Sequence, residues 1–183
     1  LFCLSFNKSF KSNEIINGIN VVRFFCSKIT YKLSALAYTF PFYKWVMSKK
    51  IKKFIKTYNV DVLHVHDLQI ASSVFYANTK FNLNITLDLH ENRPEIMKFY
   101  KHVNGFFGKM FIYPSLWKKA EERYCKKSSS IVVVTDLAKK ELVERVNINE
   151  KKVVVFSNSV SKSFYTDPFF DDVIIKKYSD SFV

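Results

Sequence analysis

Glycine is scarce in this chain: three residues in 183, beside four prolines and three cysteines. Three glycines cannot supply a Gly-x-Gly-x-x-Gly dinucleotide loop, and no Walker sequence or Gly-x-Ser-x-Gly elbow is present. Dinucleotide oxidoreductases, P-loop NTPases and α/β-hydrolases therefore lose their defining features. Cys3, Cys26 and Cys125 are odd in number, widely spaced and without a Cys-x-x-Cys pair, so the expected state is three reduced thiols. No uncharged apolar run approaches the roughly 20 residues that span a bilayer. No signal peptide is legible, and the chain opens on Leu1 rather than methionine. Acidic residues are the last shortage, 16 against 29 basic ones.

The resulting net charge of +13 suits nucleic acid, an anionic membrane surface or an acidic substrate. Nucleic acid is set aside, because no Gly-rich arm, zinc spacing or RNA-binding aromatic signature accompanies the charge. A solvated lysine surface is the plain alternative. A hydrophobic share of 48% supports a packed core rather than disorder.

Short β-branched runs predict strands over 20–25, 61–66, 84–90, 130–135 and 152–156, with a further one over 1–6. The last two runs, near-continuously apolar, read as strands covered on both faces of a parallel sheet. Helices are expected over 43–58, 68–81, 113–127 and 136–146. The first places Trp45, Val46, Ile51, Phe54 and Ile55 on one face. Pro114 opens the third, and Asp136 is the expected N-cap of the fourth. This alternation predicts an α/β fold, a Rossmann-like doubly wound, mostly parallel sheet. A connector is expected over 157–168, a short helix over 171–178 and the start of another strand over 179–183.

Ligands of such sheets bind beyond the carboxyl ends of the strands, which selects His66-Asp67, His90-Glu91 and Thr135-Asp136. His90 sits where a strand stops and a polar, proline-marked loop begins, so its ring is held by neighbours while it reaches a ligand. His64 and His66 share a face of their strand. Such a pair can ligate zinc with His90 or Asp67, but a crowded strand face without cysteine or carboxylate spacing argues for hydrogen-bonded histidines and no metal. Residues 98–119 interleave bulky aromatics with lysines, as 38–56 do. That mixture suits a lipid headgroup boundary or the core face of amphipathic helices.

Four segments in this order carry a resemblance: Asp61-Val-Leu-His-Val-His-Asp67, Leu87-Asp-Leu-His-Glu-Asn-Arg-Pro-Glu95, Ile131-Val-Val-Val-Thr135 and Val153-Val-Val-Phe-Ser-Asn158. A helix carrying Ala120-Glu-Glu122 precedes the third. From about residue 14 onward the chain resembles the N-terminal domain of GT-B glycosyltransferases, especially glycosyltransferase family 4. The resemblance implies retaining, metal-independent sugar transfer from a nucleotide-sugar donor, with no cofactor. His90 would contact the donor sugar and steady an oxocarbenium-like transition state. His66 and Asp67 would line the acceptor side and Glu91 would bind substrate, with Thr135 near the crevice and Asn158 near the hinge. It places an N-terminal acceptor-side domain over 1–178 and the start of a nucleotide-sugar-binding domain over 179–183, with the rest of that domain absent. The family's glycine-rich loop after the first strand is not recognisable in Asn7-Lys-Ser-Phe-Lys-Ser12, so the chain either starts after it or replaces it. Expected partners are the nucleotide sugar, a glycan or lipid-linked acceptor of the cell envelope, an anionic membrane surface and the second domain. The expected location is cytoplasmic, peripheral on the inner face of the cell membrane. Competing classes are a non-catalytic Rossmann-like module that docks on a membrane or partner chain, and a sugar-nucleotide epimerase of the same architecture.

Overall fold

A computed structural model describes residues 1–158. The connector beyond Asn158, the helix over 171–178 and the strand start over 179–183 lie outside the described residues.

The chain opens with β1 (Phe2–Ser5), β2 (Asn13–Ile16) and β3 (Ile19–Phe25). Strand β3 pairs parallel with β1 and antiparallel with β2, giving a three-stranded sheet in the order β1-β3-β2. The β2–β3 connection is Asn17-Gly18, with φ of 49° and 80°. Positive φ at both central residues is what a tight hairpin turn requires, and Asn-Gly supplies it most readily. This hairpin departs from the expected run of parallel strands.

Helix α1 (Lys28–Lys32), capped by Ser27, leads to the long helix α2 (Phe42–Tyr58). Its buried stripe is Tyr43, Met47, Ile51 and Ile55, at four-residue spacing. Trp45 and Val46, expected to face inward, are 47% and 43% exposed. Phe2 meets Phe54 of α2 edge-on, so this helix ties the first sheet to the rest of the core.

The remainder alternates: β4 (Val62–His66), α3 (Leu68–Asn78), β5 (Asn84–Leu89), then α4 (Arg93–Ile96), α5 (Lys101–Asn104), α6 (Phe106–Phe111) and α7 (Pro114–Lys127). Strand β6 (Ser130–Val133), α8 (Asp136–Val146) and β7 (Val153–Val155) complete the described chain. Pro114 opens α7 as expected, whereas α8 is capped by Thr135, whose side chain accepts from the Ala138 amide. Asp136 falls one residue inside, in the first turn, where its charge suits the positive end of the helix. Scarce glycine leaves a mark here. Helices α2 and α8 end on Asn59 and Asn147 in the left-handed region, where glycine is the usual residue.

Strands β4 to β7 form a parallel sheet in sequential order, and with its helices the fold is Rossmann-like α/β. Because each strand is added on the same side of its predecessor, right-handed crossovers deliver their helices to one face. Helices α3, α7 and α8 pack in a row there, over Leu63, Val65, Ile85, Leu87, Ile131, Val133 and Val153. The other face is less covered: Val62 is 57% and Val154 53% exposed. The expectation that the last two strands are covered on both faces is therefore corrected. Their apolar runs reflect β-branched residues chosen for the strand, and only alternate positions are fully buried.

The aromatic-rich stretch divides between both expectations. Met97, Val103, Ile112 and Trp117 are buried, while Phe99, Phe106 and Phe107 are 83%, 78% and 72% exposed. Thr39 Oγ1 donates to the Phe111 carbonyl at 2.7 Å, and Phe40 lies against Phe111, so the two aromatic-basic segments meet. No helix among the described residues is long and apolar enough to cross a membrane.

Candidate functional site

Three of the four histidines converge at the carboxyl ends of β4 and β5. The parallel register sets His64 opposite Thr86 and His66 opposite Asp88. Alternation along each strand puts these four side chains on the face opposite the helices, and His90 continues the series one step past the end of β5. Asp88 is at the centre. Its Oδ2 lies 2.9 Å from His64 Nε2, 3.1 Å from His90 Nε2 and 3.6 Å from His66 Nδ1. His90 Nε2 and His66 Nδ1 share a hydrogen bond at 3.0 Å.

Burial differs sharply within the cluster. The Asp88 side chain is 8% exposed, His90 33%, His64 56% and His66 65%. Asp88 Oδ1 is buried and has no hydrogen-bond partner among the described residues. A carboxylate in that position holds imidazole N–H groups strongly, since no water competes for it. His90 is thus engaged inward through Nε2, which leaves Nδ1 for a ligand. Contrary to expectation, the strand face that carries the histidines is not crowded but half open.

The neighbouring loops are clamped. Arg93, first residue of α4, lies 3.4 Å from Asp67 Oδ2, 2.9 Å from Glu91 Oε1 and 3.4 Å from the Tyr100 hydroxyl. The Asp67 amide also donates to the Asp88 carbonyl at 3.0 Å. Asp67 itself has φ 72° and ψ 149°, at the edge of a region that only glycine occupies without strain. The structure holds that strain between β4 and α3, beside the histidines. Replacing Asp67 by glycine relieves about 1–3 kcal/mol of strain. Against this stand about 0.5–1 kcal/mol for glycine's looser unfolded chain and up to about 1 kcal/mol for the Arg93 pair. The net expectation for Asp67→Gly is a modest rise in melting temperature; a fall would mean the clamp outweighs the strain.

A cleft of about 300 Å³ opens beyond the ends of β5 and β6, lined by Glu91, Asn92, Thr135, Ala138, Glu141 and Arg145 among others. Thr135 reaches it although its hydroxyl also caps α8. Thus His66, Asp67, His90 and Glu91 are brought together and Thr135 joins through the cleft. Asn158, exposed and three residues past β7, makes no hydrogen bond or ion pair to them among the described residues.

Arg145 closes the cleft's floor, bonded to Glu121 Oε2 at 2.5 Å, Glu122 Oε1 at 3.1 Å and Glu141 Oε1 at 2.5 Å. Burial pushes the Glu121 carboxyl above its usual range, and the Arg145 hydrogen bond pulls it back only in part. One guanidinium serves three carboxylates.

Asp88 and Arg93 were not singled out from the sequence. The signal for Asp88 was available: an acid inside an apolar strand, two residues before His90 and hence on its face. Arg93 carried no comparable mark beyond its place in Asn92-Arg93-Pro94.

No curated protein matches the chain. Among solved structures it is similar to a glycosyltransferase from Rickettsia africae ESF-5, at 22% identity and a TM-score of 0.47. That match covers 87% of this chain and 36% of the other, so the chain spans about a third of that protein's length. The model of Glycosyltransferase Family 4 matches residues 2–164, which takes in both sheets and every residue of the histidine cluster. The chain belongs to glycosyltransferase family 4.

Proposed function

We propose that the chain is the acceptor-side part of a retaining glycosyltransferase that moves a hexose from a nucleotide-sugar donor to a cell-envelope glycan or glycolipid. The observation that carries this reading is His90, held from behind by buried Asp88 and open at the carboxyl end of a parallel strand, within a family-matched segment. As the bond from sugar to diphosphate breaks, positive charge develops on the sugar ring. His90 Nε2–H donates to Asp88, so Nδ1 of the neutral ring accepts from a sugar hydroxyl and turns its lone pair toward the developing positive charge. No metal or cofactor takes part in this step. His66, Asp67 and Glu91 face the acceptor, Thr135 borders the crevice and Asn158 lies toward the hinge.

In this reading residues 1–178 form the acceptor-side unit and 179–183 begin a donor-binding domain. The 183-residue chain alone transfers no sugar, because His66 and His64 stand in water and half of a two-domain cleft does not exclude water from the reaction. Exposed Phe99, Phe106 and Phe107 near Lys98, Lys101 and Lys109 suit a lipid-borne acceptor on the anionic inner face of a cell membrane.

The test joins the chain to its donor-binding partner domain and follows labelled sugar from a panel of nucleotide sugars to lipid-linked acceptors. Vesicles with and without anionic lipid carry the acceptor. Transfer from one donor, faster on anionic vesicles, is the expected result. Absence of transfer from every donor would sink the enzyme reading, and equal rates on both vesicles would remove the membrane from it.

A further inference from the structure

The histidine cluster has a geometry that sugar transfer alone does not use. His66 Nδ1, His90 Nε2 and Asp88 Oδ2 form a triangle with edges of 3.0, 3.1 and 3.6 Å. In a tetrahedral zinc site, ligands at about 2.0–2.1 Å stand about 3.3 Å from one another. The circle through the three atoms has a radius of about 1.9 Å, so an ion just out of their plane meets all three at about 2.0–2.1 Å. Two imidazoles and one carboxylate are also the donor set that suits zinc over magnesium, which prefers an all-oxygen shell.

The surroundings favour the same occupant. His64 Nε2 at 2.9 Å from Asp88 Oδ2 steadies the carboxylate from the side, as ligating carboxylates commonly require. His66 and His90 are partly open to solvent, which leaves an entry path and a fourth position for water. These three side chains are also the one group of three or more metal-capable residues that converges among the described residues.

We infer that His66, Asp88 and His90 bind a zinc-like divalent ion, and that the ion, by taking His90 Nε2, opposes the sugar contact at Nδ1 of the same ring. With the ion on Nε2, the ring proton of His90 sits on Nδ1, which then no longer offers the sugar an acceptor. The ion is an inhibitor, not a participant in transfer. Binding itself stands apart from the transferase reading; only the opposition to the sugar contact rests on it.

Calorimetric titration of the 183-residue chain with Zn²⁺ tests the binding. One ion per chain is expected, with no comparable uptake of Mg²⁺. His66→Ala and His90→Ala are each expected to weaken binding by at least about tenfold, while His102→Ala, the histidine outside the cluster, keeps the wild-type affinity. Equal affinity in all three variants, or Mg²⁺ bound as well as Zn²⁺, would overturn the site. Should a variant fail to fold, the Co²⁺-loaded wild-type chain still decides. Four-coordinate visible bands without a thiolate charge-transfer band are expected, and a thiolate band would move the ion to a cysteine. Zinc that binds at the cluster yet leaves transfer by the two-domain enzyme unaffected would cancel the opposition to the sugar contact alone.

Discussion

Replacing His90 by alanine in the two-domain enzyme is expected to lower kcat by about 10²- to 10³-fold, the usual effect of losing one preorganised hydrogen bond to a charge-developing transition state. The donor KM should move little, because the contact strengthens only as the glycosidic bond breaks. His90→Gln keeps a hydrogen-bond acceptor but lacks the rigid ring that Asp88 holds, so it should recover part of the rate. Far-UV circular dichroism should be unchanged in both, since His90 lies past the end of β5 and outside the core. Steady-state kinetics over a donor series reads all of this. Full turnover in His90→Ala would remove the residue from the chemistry and leave it as a strand-end hydrogen bonder.

The second large effect is on stability. Arg145→Ala strands Glu121, whose side chain is 4% exposed, without the cation it is ion-paired to, at a cost of about 3–5 kcal/mol. For a chain of this size that lowers the melting temperature by on the order of 10 °C. Combining Arg145→Ala with Glu121→Gln should recover a good part of the loss, because no unpaired buried charge then remains. The pH dependence has a definite sign. Glu121's folded-state pKa is raised above the ordinary 4.5, so the folded state takes up its proton more readily. Its stabilising contribution is complete below that ordinary value and declines as pH rises through the raised one. Without Arg145 the decline deepens, so the gap between variant and wild type should narrow in acid. Urea titrations at several pH values measure it; a gap independent of pH would separate Glu121 from the effect.

The two residues behind these predictions were unequally legible. His90 was readable because period-two alternation and the strand-end rule act over a few neighbours, and the family motif falls on the same residues. His64 and His66 were placed on one face for the same reason. The carboxylate that organises all three was not read, although Asp88 interrupts an apolar strand at the right parity. The Arg145–Glu121 pair joins residues 24 apart on two different helices, a distance that no local pattern encodes. Asn17-Gly18 was legible as a hairpin and was passed over. The less-covered face followed from strand order, and order is decided by which edges meet in the folded chain. The runs at 130–135 and 152–156 look alike whether one face is covered or two.

That sequential order also has a consequence for how the molecule is made. Paired residues lie 22 apart from β4 to β5 (Val62 and Asn84), 44 from β5 to β6 (Thr86 and Ser130) and 22 from β6 to β7 (Ile131 and Val153). Each strand can dock on an edge already finished when it leaves the ribosome, so the sheet is able to grow from its amino end during synthesis. Pairings this local carry a small loop-closure cost and favour rapid folding. The histidine cluster needs only the first two of these strands. It is therefore assembled early, before the cleft beside it has its far wall.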